Sequence, residues 1–247
     1  MQIDAITRPT RLEDVTFYHA TSTFFLTGIK DSGLAGTQPL AVIEASRFIA
    51  SIYTQLDNFI LSKLDKNKIK FPIENLDISQ KVYFSKIQNP EEVWHDTCER
   101  LALSIGSLAP QVNTGFFDHG QTYITASRNT ALGYLSNQYG SECVSTCADC
   151  LPLAEDLKFK INLTPALRDC LNFDHSPLLI TISGLKIEWL DQEHSQNQTS
   201  IHETVETLLN VFKNNEDPTI LQACLQQKNF RLNHPVPMAN LEIIHQS

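Results

Sequence analysis

The chain has 247 residues, of which 42% are hydrophobic and 19% are charged, so it has the composition of an ordinary globular protein with a sizeable core. Its 28 acidic and 19 basic residues give a formal net charge of −9. Duplex binding normally needs a basic face that displaces condensed counterions, so this charge argues against a nucleic-acid partner.

The first 36 residues predict a polar site on a short strand. MQIDAITRPTRLEDV contains no apolar run typical of a secretory signal, and we expect a cytoplasmic protein. FYHATS, at 17–22, predicts an apolar strand that carries a histidine followed by small hydroxyl residues. FFLTGIKDSGL, at 24–34, predicts a helix that ends at glycine. A buried strand does not need an imidazole, whereas a site for a polar ligand does.

The next segment, residues 40–110, predicts a helical insertion. Its apolar residues recur at steps of three and four, which is typical of one face of an amphipathic helix; they are Phe48, Ile49, Ile52, Tyr53, Leu56, Phe59, Ile60 and Leu64. Glu44, Arg47 and Asp57 interrupt this stretch, so it is too polar to span a bilayer, and we expect no membrane partner. NPEEVWHDTCERLALSIGSL, at 89–108, predicts a second helix.

The second half of the chain is predicted to be rich in strands. GQTYITAS (120–127) reads as a strand, and RNTALGYLSNQYG (128–140) as a helix stopped by glycine. Further strands are predicted in LKFKINL (157–163), SPLLITISGL (176–185), KIEWLD (186–191) and NFRLNHPVPMANLEII (229–244). SIHETVETLLNVF predicts a helix capped by Ser200, with Glu203 completing a capping box. Alternating βαβ signals are absent, which argues against a doubly wound parallel sheet.

The six cysteines are expected to be reduced thiols, since no secretory signal is visible. Three of them, Cys143, Cys147 and Cys150, cluster in CVSTCADC. A zinc site would need a fourth ligand, and none follows at a standard spacing, so we favour thiols in a loop or on a helix face and expect no metal. Dinucleotide, nucleoside-triphosphate, hydrolase and metalloprotease fingerprints are also absent.

FYHATS with FFLTGIKDSGL resembles the first motif of the ADP-ribosyltransferase superfamily, in the histidine-class branch of diphtheria toxin and the poly(ADP-ribose) polymerases. In that motif, a strand with Tyr-His-Gly-Thr precedes a short helix and a glycine-bearing turn; here Ala20 replaces the glycine. Tyr123 on a strand and Tyr134 eleven residues later on a helix resemble the family's nicotinamide clamp. PLLITISGL and VPMANLEII are similar to its later strands.

This resemblance covers residues 15–36 and 120–247. It implies an α+β fold, with an ADP-ribosyltransferase-like split β-sheet core. Residues 1–247 would form a single domain, with 40–110 as an inserted helical segment that has no counterpart in the family.

The resemblance also implies roles for individual residues. His19 would hydrogen-bond the ribose of NAD, and the backbone of Ala20 would hold the nicotinamide amide. Tyr123 and Tyr134 would sandwich the nicotinamide ring. Thr130, or the hydroxyls of Thr21 and Ser22, would complete the polar contacts.

The sequence allows two alignments for the catalytic glutamate. If NLEIIHQ aligns with the family's glutamate strand, Glu242 is the acid. If KNFRLNH aligns there instead, Asn229 or Phe230 takes that place and the acid is missing. Glu203 and Glu206 are expected to be cap and solvent-face residues.

The leading functional hypothesis is an NAD-dependent mono-ADP-ribosyltransferase that modifies a macromolecule, most simply a protein, and releases nicotinamide. Such a chain could serve as a toxin or as an effector delivered into another cell. The alternative is a catalytically silent module of the same fold that binds NAD, ADP-ribose or a protein partner. An RNA 2′-phosphotransferase shares the fold, but arginines are scarce near the motifs.

Overall fold

Six strands form one antiparallel sheet in the computed structural model, which describes residues 8–64, 121–156, 158–193, 200–215 and 217–245. The strands are β1 (Phe17–Ser22), β2 (Thr122–Thr125), β3 (Pro177–Ile182), β4 (Leu190–Gln192), β5 (Asn229–Leu232) and β6 (Leu241–His245). Their order across the sheet is β4-β5-β2-β1-β3-β6, and every neighbouring pair is antiparallel. The expected α+β class is therefore confirmed.

The helices of the described ranges lie between these strands in the chain. They are α1 (Leu26–Ser32), α2 (Leu40–Leu64), α3 (Arg128–Tyr134), α4 (Glu142–Asp156), α5 (Pro165–Leu171), α6 (Ile201–Asn214) and α7 (Pro218–Leu225). Short 3-10 turns occupy Leu12–Asp14, Thr23–Phe25, Ile187–Trp189 and Met238–Asn240. None of the described helices is both long and apolar enough to cross a membrane.

Helix α2 confirms the first half of the predicted helical segment. Phe48, Ile49 and Ile52 lie on one face of it and are almost completely buried, and α2 packs against α4 and α5. These side chains belong to the same hydrophobic core as the sheet, so the buried face of α2 between Ala41 and Ile52 is part of that core. The second predicted helix, 89–108, lies outside the described residues.

Helix α4 carries the cysteine cluster on its buried face. Cys143, Cys147 and Cys150 are buried there, and Cys170 of α5 is buried nearby, which confirms the helix-face interpretation. Burial raises the pKa of Cys147 and Cys170 to about 12 and that of Cys150 to about 11, so these thiols stay protonated at neutral pH. Within the described ranges, no three His, Cys, Asp or Glu side chains are grouped so that they could hold a metal ion.

The predicted cap of α6 is also confirmed. The Ser200 hydroxyl accepts the Glu203 N–H, and the Glu203 carboxylate accepts the Ser200 N–H at 2.8 Å. Glu206 is exposed on the same helix, as expected.

Three predicted elements differ from the structure. KIEWLD, predicted as a strand, contains the 3-10 turn Ile187–Trp189 and enters β4 only at Leu190. The described residues 158–163 of LKFKINL do not form a strand: Lys158 has a φ of +56°, and Thr164 caps α5 by accepting the Leu167 N–H. The left-handed residue interrupts any extended run, and the cap directs the chain into a helix. The helix predicted over 128–140 ends at Tyr134, and turns lead from there to Gly140.

Candidate functional site

A cavity of about 510 Å³ opens beside the centre of the sheet, where β1 and β2 separate. Its walls come from β1, β2, α1, the start of α2, the loop after α3 and the adjoining ends of β4 and β5. Its volume lies in the range of small-molecule sites. Five of the residues implied by the resemblance for binding NAD line it: His19, Ala20, Thr21, Tyr123 and Tyr134.

The separation of β1 from β2 explains how His19 and Tyr123 reach the same cavity. The strands pair at Tyr18↔Thr125, and strict alternation from this pair would place His19 and Tyr123 on opposite faces of the sheet. The side chain of His19 instead bonds to β2, with its Nδ1 2.8 Å from the Tyr123 carbonyl oxygen. A side chain therefore bridges the strands, and residues of both faces line the opening.

The carbonyl oxygen bound by His19 shows which nitrogen of its ring carries the proton. A carbonyl oxygen only accepts, so Nδ1–H donates to Tyr123 and Nε2 is the acceptor of the neutral ring. Burial lowers the pKa of His19, more than the Tyr123 hydrogen bond raises it. At neutral pH, His19 is thus a neutral imidazole with an acceptor nitrogen suited to a ligand hydroxyl.

Tyr134 is the exposed aromatic ring of the cavity wall. Tyr134 is 46% exposed, and the partial burial of its hydroxyl raises the pKa of that group. The charges of Glu142 and Glu193 raise this pKa further, so both carboxylates act on the Tyr134 hydroxyl. The aromatic ring and the two carboxylates form a surface that favours a flat, cationic group.

The loop after α3 closes on β1 at Gly140. This residue has a φ of +63°, and a Cβ there would lie 2.3 Å from the backbone nitrogen of Ser22. The Thr21 hydroxyl donates to the Gly140 carbonyl at 3.4 Å. Only glycine allows this approach without displacing the backbone, so Gly140 fixes the loop that forms one wall.

Carboxylates provide the formal charge of the described cavity wall. Glu142 and Glu193 line it, whereas no Lys or Arg is found among the described lining residues. Asn229 also lines it, and its Nδ2 donates to Glu193 Oε1 at 3.0 Å. Asn229 Oδ1 is buried without a hydrogen-bond partner among the described residues. Neither glutamate belongs to a sequence motif, so neither was predicted from the sequence.

Three of the residues expected in the site lie elsewhere. The buried Ser22 hydroxyl donates to Nδ1 of His175, whose Nε2–H donates to the Cys170 carbonyl, so Ser22 fixes a loop. Thr130 lies in the first turn of α3, where its N–H donates to Ser127, and it does not line the cavity.

Glu242, the acid under one of the two alignments left open by the sequence, is also outside the cavity. It lies on β6 at the edge of the sheet, where the Thr181 hydroxyl donates to its carboxylate at 3.3 Å. It lines a separate hollow of about 310 Å³. Strand β3 and strand β1 stand between β6 and β2, so Glu242 faces a different part of the molecule from Tyr123.

Comparison of the chain with protein-family models, with curated proteins and with solved structures gave no match. The geometry and chemistry of the cavity are therefore the basis for its function.

Proposed function

We propose that the cavity binds NAD with its nicotinamide half inside, and that the protein is a mono-ADP-ribosyltransferase that transfers ADP-ribose to a protein. One observation carries this proposal: His19 and Ala20 of the first motif line one cavity with Tyr123 and Tyr134 of the second motif, which lies far along the sequence. These residues belong to the two motifs that resemble the ADP-ribosyltransferase superfamily.

The charges of the cavity suit the nicotinamide half of NAD. The nicotinamide ring is cationic in NAD, and two carboxylates with no Lys or Arg among the described lining residues favour a cation. An aromatic face adds about 0.5–2 kcal/mol of cation–π attraction, depending on its desolvation. The exposed ring of Tyr134 offers such a face.

The neutral His19 suits the ribose. Its Nε2 accepts, and a ribose hydroxyl donates, so this nitrogen would fix the sugar next to the bond that breaks. Ala20 follows on the same strand and lines the cavity, so its backbone would hold the nicotinamide amide.

A catalytically silent module is the second candidate, and the position of Glu242 favours it. The expected acid lies outside the cavity, and Asn229, the residue of the alternative alignment, lines it. A cavity that binds NAD without a carboxylate at the sugar would bind the ligand and not cleave it. The described lining gives no support to an RNA 2′-phosphotransferase, which needs arginines around a phosphate.

The test is incubation of the purified protein with NAD labelled in its adenylate half and a cell lysate. We expect label in a discrete protein band, with release of nicotinamide, and loss of both with His19→Ala. NAD binding without label or nicotinamide release would support the silent module. Absence of NAD binding would contradict both candidates.

A further inference from the structure

A carboxylate and an amide lie side by side on the cavity wall. Glu193 directly follows the last residue of β4, and Asn229 is the first residue of β5. The pair Gln192↔Phe230 makes Glu193 and Asn229 the next facing residues of these antiparallel strands. Their side chains meet, with Asn229 Nδ2 3.0 Å from Glu193 Oε1.

We propose that Glu193 is the catalytic carboxylate of this cavity and that Asn229 is its positioning residue. The inference rests on the proposed function, because it names the group that acts on the sugar in that reaction. Glu193 lines the same cavity as His19 and Tyr123, which Glu242 does not.

The reaction needs a negative charge near the ribose. The bond from C1′ to the nicotinamide nitrogen breaks, its electron pair stays on that nitrogen, and neutral nicotinamide leaves. Positive charge develops on C1′ and the ring oxygen until the acceptor forms its bond to C1′ and releases a proton to solvent. A carboxylate fixed in advance stabilises this developing charge more than it stabilises the bound substrate.

The amide of Asn229 fixes the carboxylate in advance. An ionised carboxylate accepts only, so the amide nitrogen, and not its oxygen, faces Glu193. This leaves Asn229 Oδ1 buried without a partner among the described residues, which is unfavourable for folding. A buried polar atom without a partner calls for an explanation, and a role for Asn229 in holding the Glu193 carboxylate supplies one.

The second carboxylate of the wall, Glu142, has a structural reason for its charge. It is the first residue of the 15-residue helix α4, where the helix dipole favours a negative side chain. Glu193 follows a strand and has no such helix end to stabilise. The two residues therefore provide a comparison between equal charges on one cavity wall.

The experiment measures nicotinamide release and NAD affinity for the purified full chain, with water or a lysate protein as acceptor. For Glu193→Gln we expect kcat to fall about a hundredfold or more, whereas NAD affinity should fall far less, because Glu142 still supplies a carboxylate to the cavity wall. Glu142→Gln should lower kcat far less. Glu242→Gln, which removes a carboxylate outside the cavity, should behave as wild type. Circular dichroism checks that each variant is folded.

The positioning role of Asn229 is tested by exchange. Asn229→Ala should lower kcat about tenfold without raising KM for NAD, a split that general loss of structure would not give. The double variant Glu193→Gln with Asn229→Asp exchanges carboxylate and amide, and it should recover part of the activity lost in Glu193→Gln. Failure to recover any activity would contradict the pairing.

The outcomes separate the inference from the function on which it rests. Wild-type kcat in Glu193→Gln, or a larger loss in Glu142→Gln or Glu242→Gln, overturns the inference and leaves NAD turnover intact. NAD binding by the wild type with no nicotinamide release overturns the inference in favour of the silent module. No NAD binding overturns the proposed function itself.

Discussion

Tyr134 gives the sharpest test of how the cavity would hold NAD. Tyr134→Ala removes the exposed aromatic face and leaves the rest of the wall in place. The side chain is 46% exposed, so its removal should change the free energy of unfolding little, and a loss of affinity would reflect binding.

The size of the effect follows from this exposure. A ring that is partly accessible in the free protein and covered by ligand in the complex lies between the exposed and desolvated limits of cation–π attraction, about 0.5 and 2 kcal/mol. We take about 1.4 kcal/mol, which is about tenfold in Kd. Only NAD carries the nicotinamide ring, so the affinity for ADP-ribose should change by less than about twofold.

Isothermal titration calorimetry with NAD and with ADP-ribose measures both affinities. Tyr134→Phe is the matched control, because it keeps the ring and loses only the hydroxyl, and NAD affinity should stay within about threefold of wild type. Equal losses for NAD and ADP-ribose in Tyr134→Ala would refute the stacking role.

Three further predictions follow from the structure. Burial lowers the pKa of His19 in the folded protein below its ordinary value of about 6.5, so the unfolded chain binds a proton more readily than the folded one. The contribution of His19 to folding stability is therefore full above about pH 6.5, and it is lost as the pH falls through the lower pKa of the folded state. NMR titration of the imidazole should show this low pKa, and a normal value would contradict the burial argument. Gly140→Ala should lower the free energy of unfolding by at least about 1–2 kcal/mol in urea titrations, because φ is +63° at this residue and the added Cβ would clash with the backbone of Ser22. Gly133→Ala is the control, because the space around its Cβ is open, and it should not lower the free energy of unfolding. Ser200→Ala should destabilise by about 1 kcal/mol, measured in the same way, and an unchanged urea midpoint would show that the cap of α6 contributes nothing.

Local sequence patterns were sufficient to predict most helices and strands, and the strand that carries His19 into the cavity. The apolar stripe of α2, the strand with His19 and the cap at Ser200 each depend on residues near one another in the sequence, and the structure agrees with these predictions. Predictions failed where another local signal opposed the apolar pattern. LKFKINL has strand composition, but the left-handed Lys158 and the cap at Thr164 decide its conformation.

The proposed acid, Glu193, could not be predicted because its place in the cavity depends on pairing between distant strands. The sequence left two alignments of the glutamate strand open, one of which would make Glu242 the acid, but the strand order places β6 at the edge beside β3. Glu193 reaches Asn229 only through the β4–β5 register, across 36 residues of sequence. Nothing in the sequence near Glu193 indicates this partner.

The most direct test of the central claim is to map NAD binding on the isotope-labelled protein by NMR. The account predicts that NAD shifts the backbone amides of His19, Ala20 and Tyr123, and that ADP-ribose leaves the signals of Tyr134 less changed than NAD does. Shifts confined to the β6 hollow around Glu242, or no shifts at millimolar NAD, would contradict it.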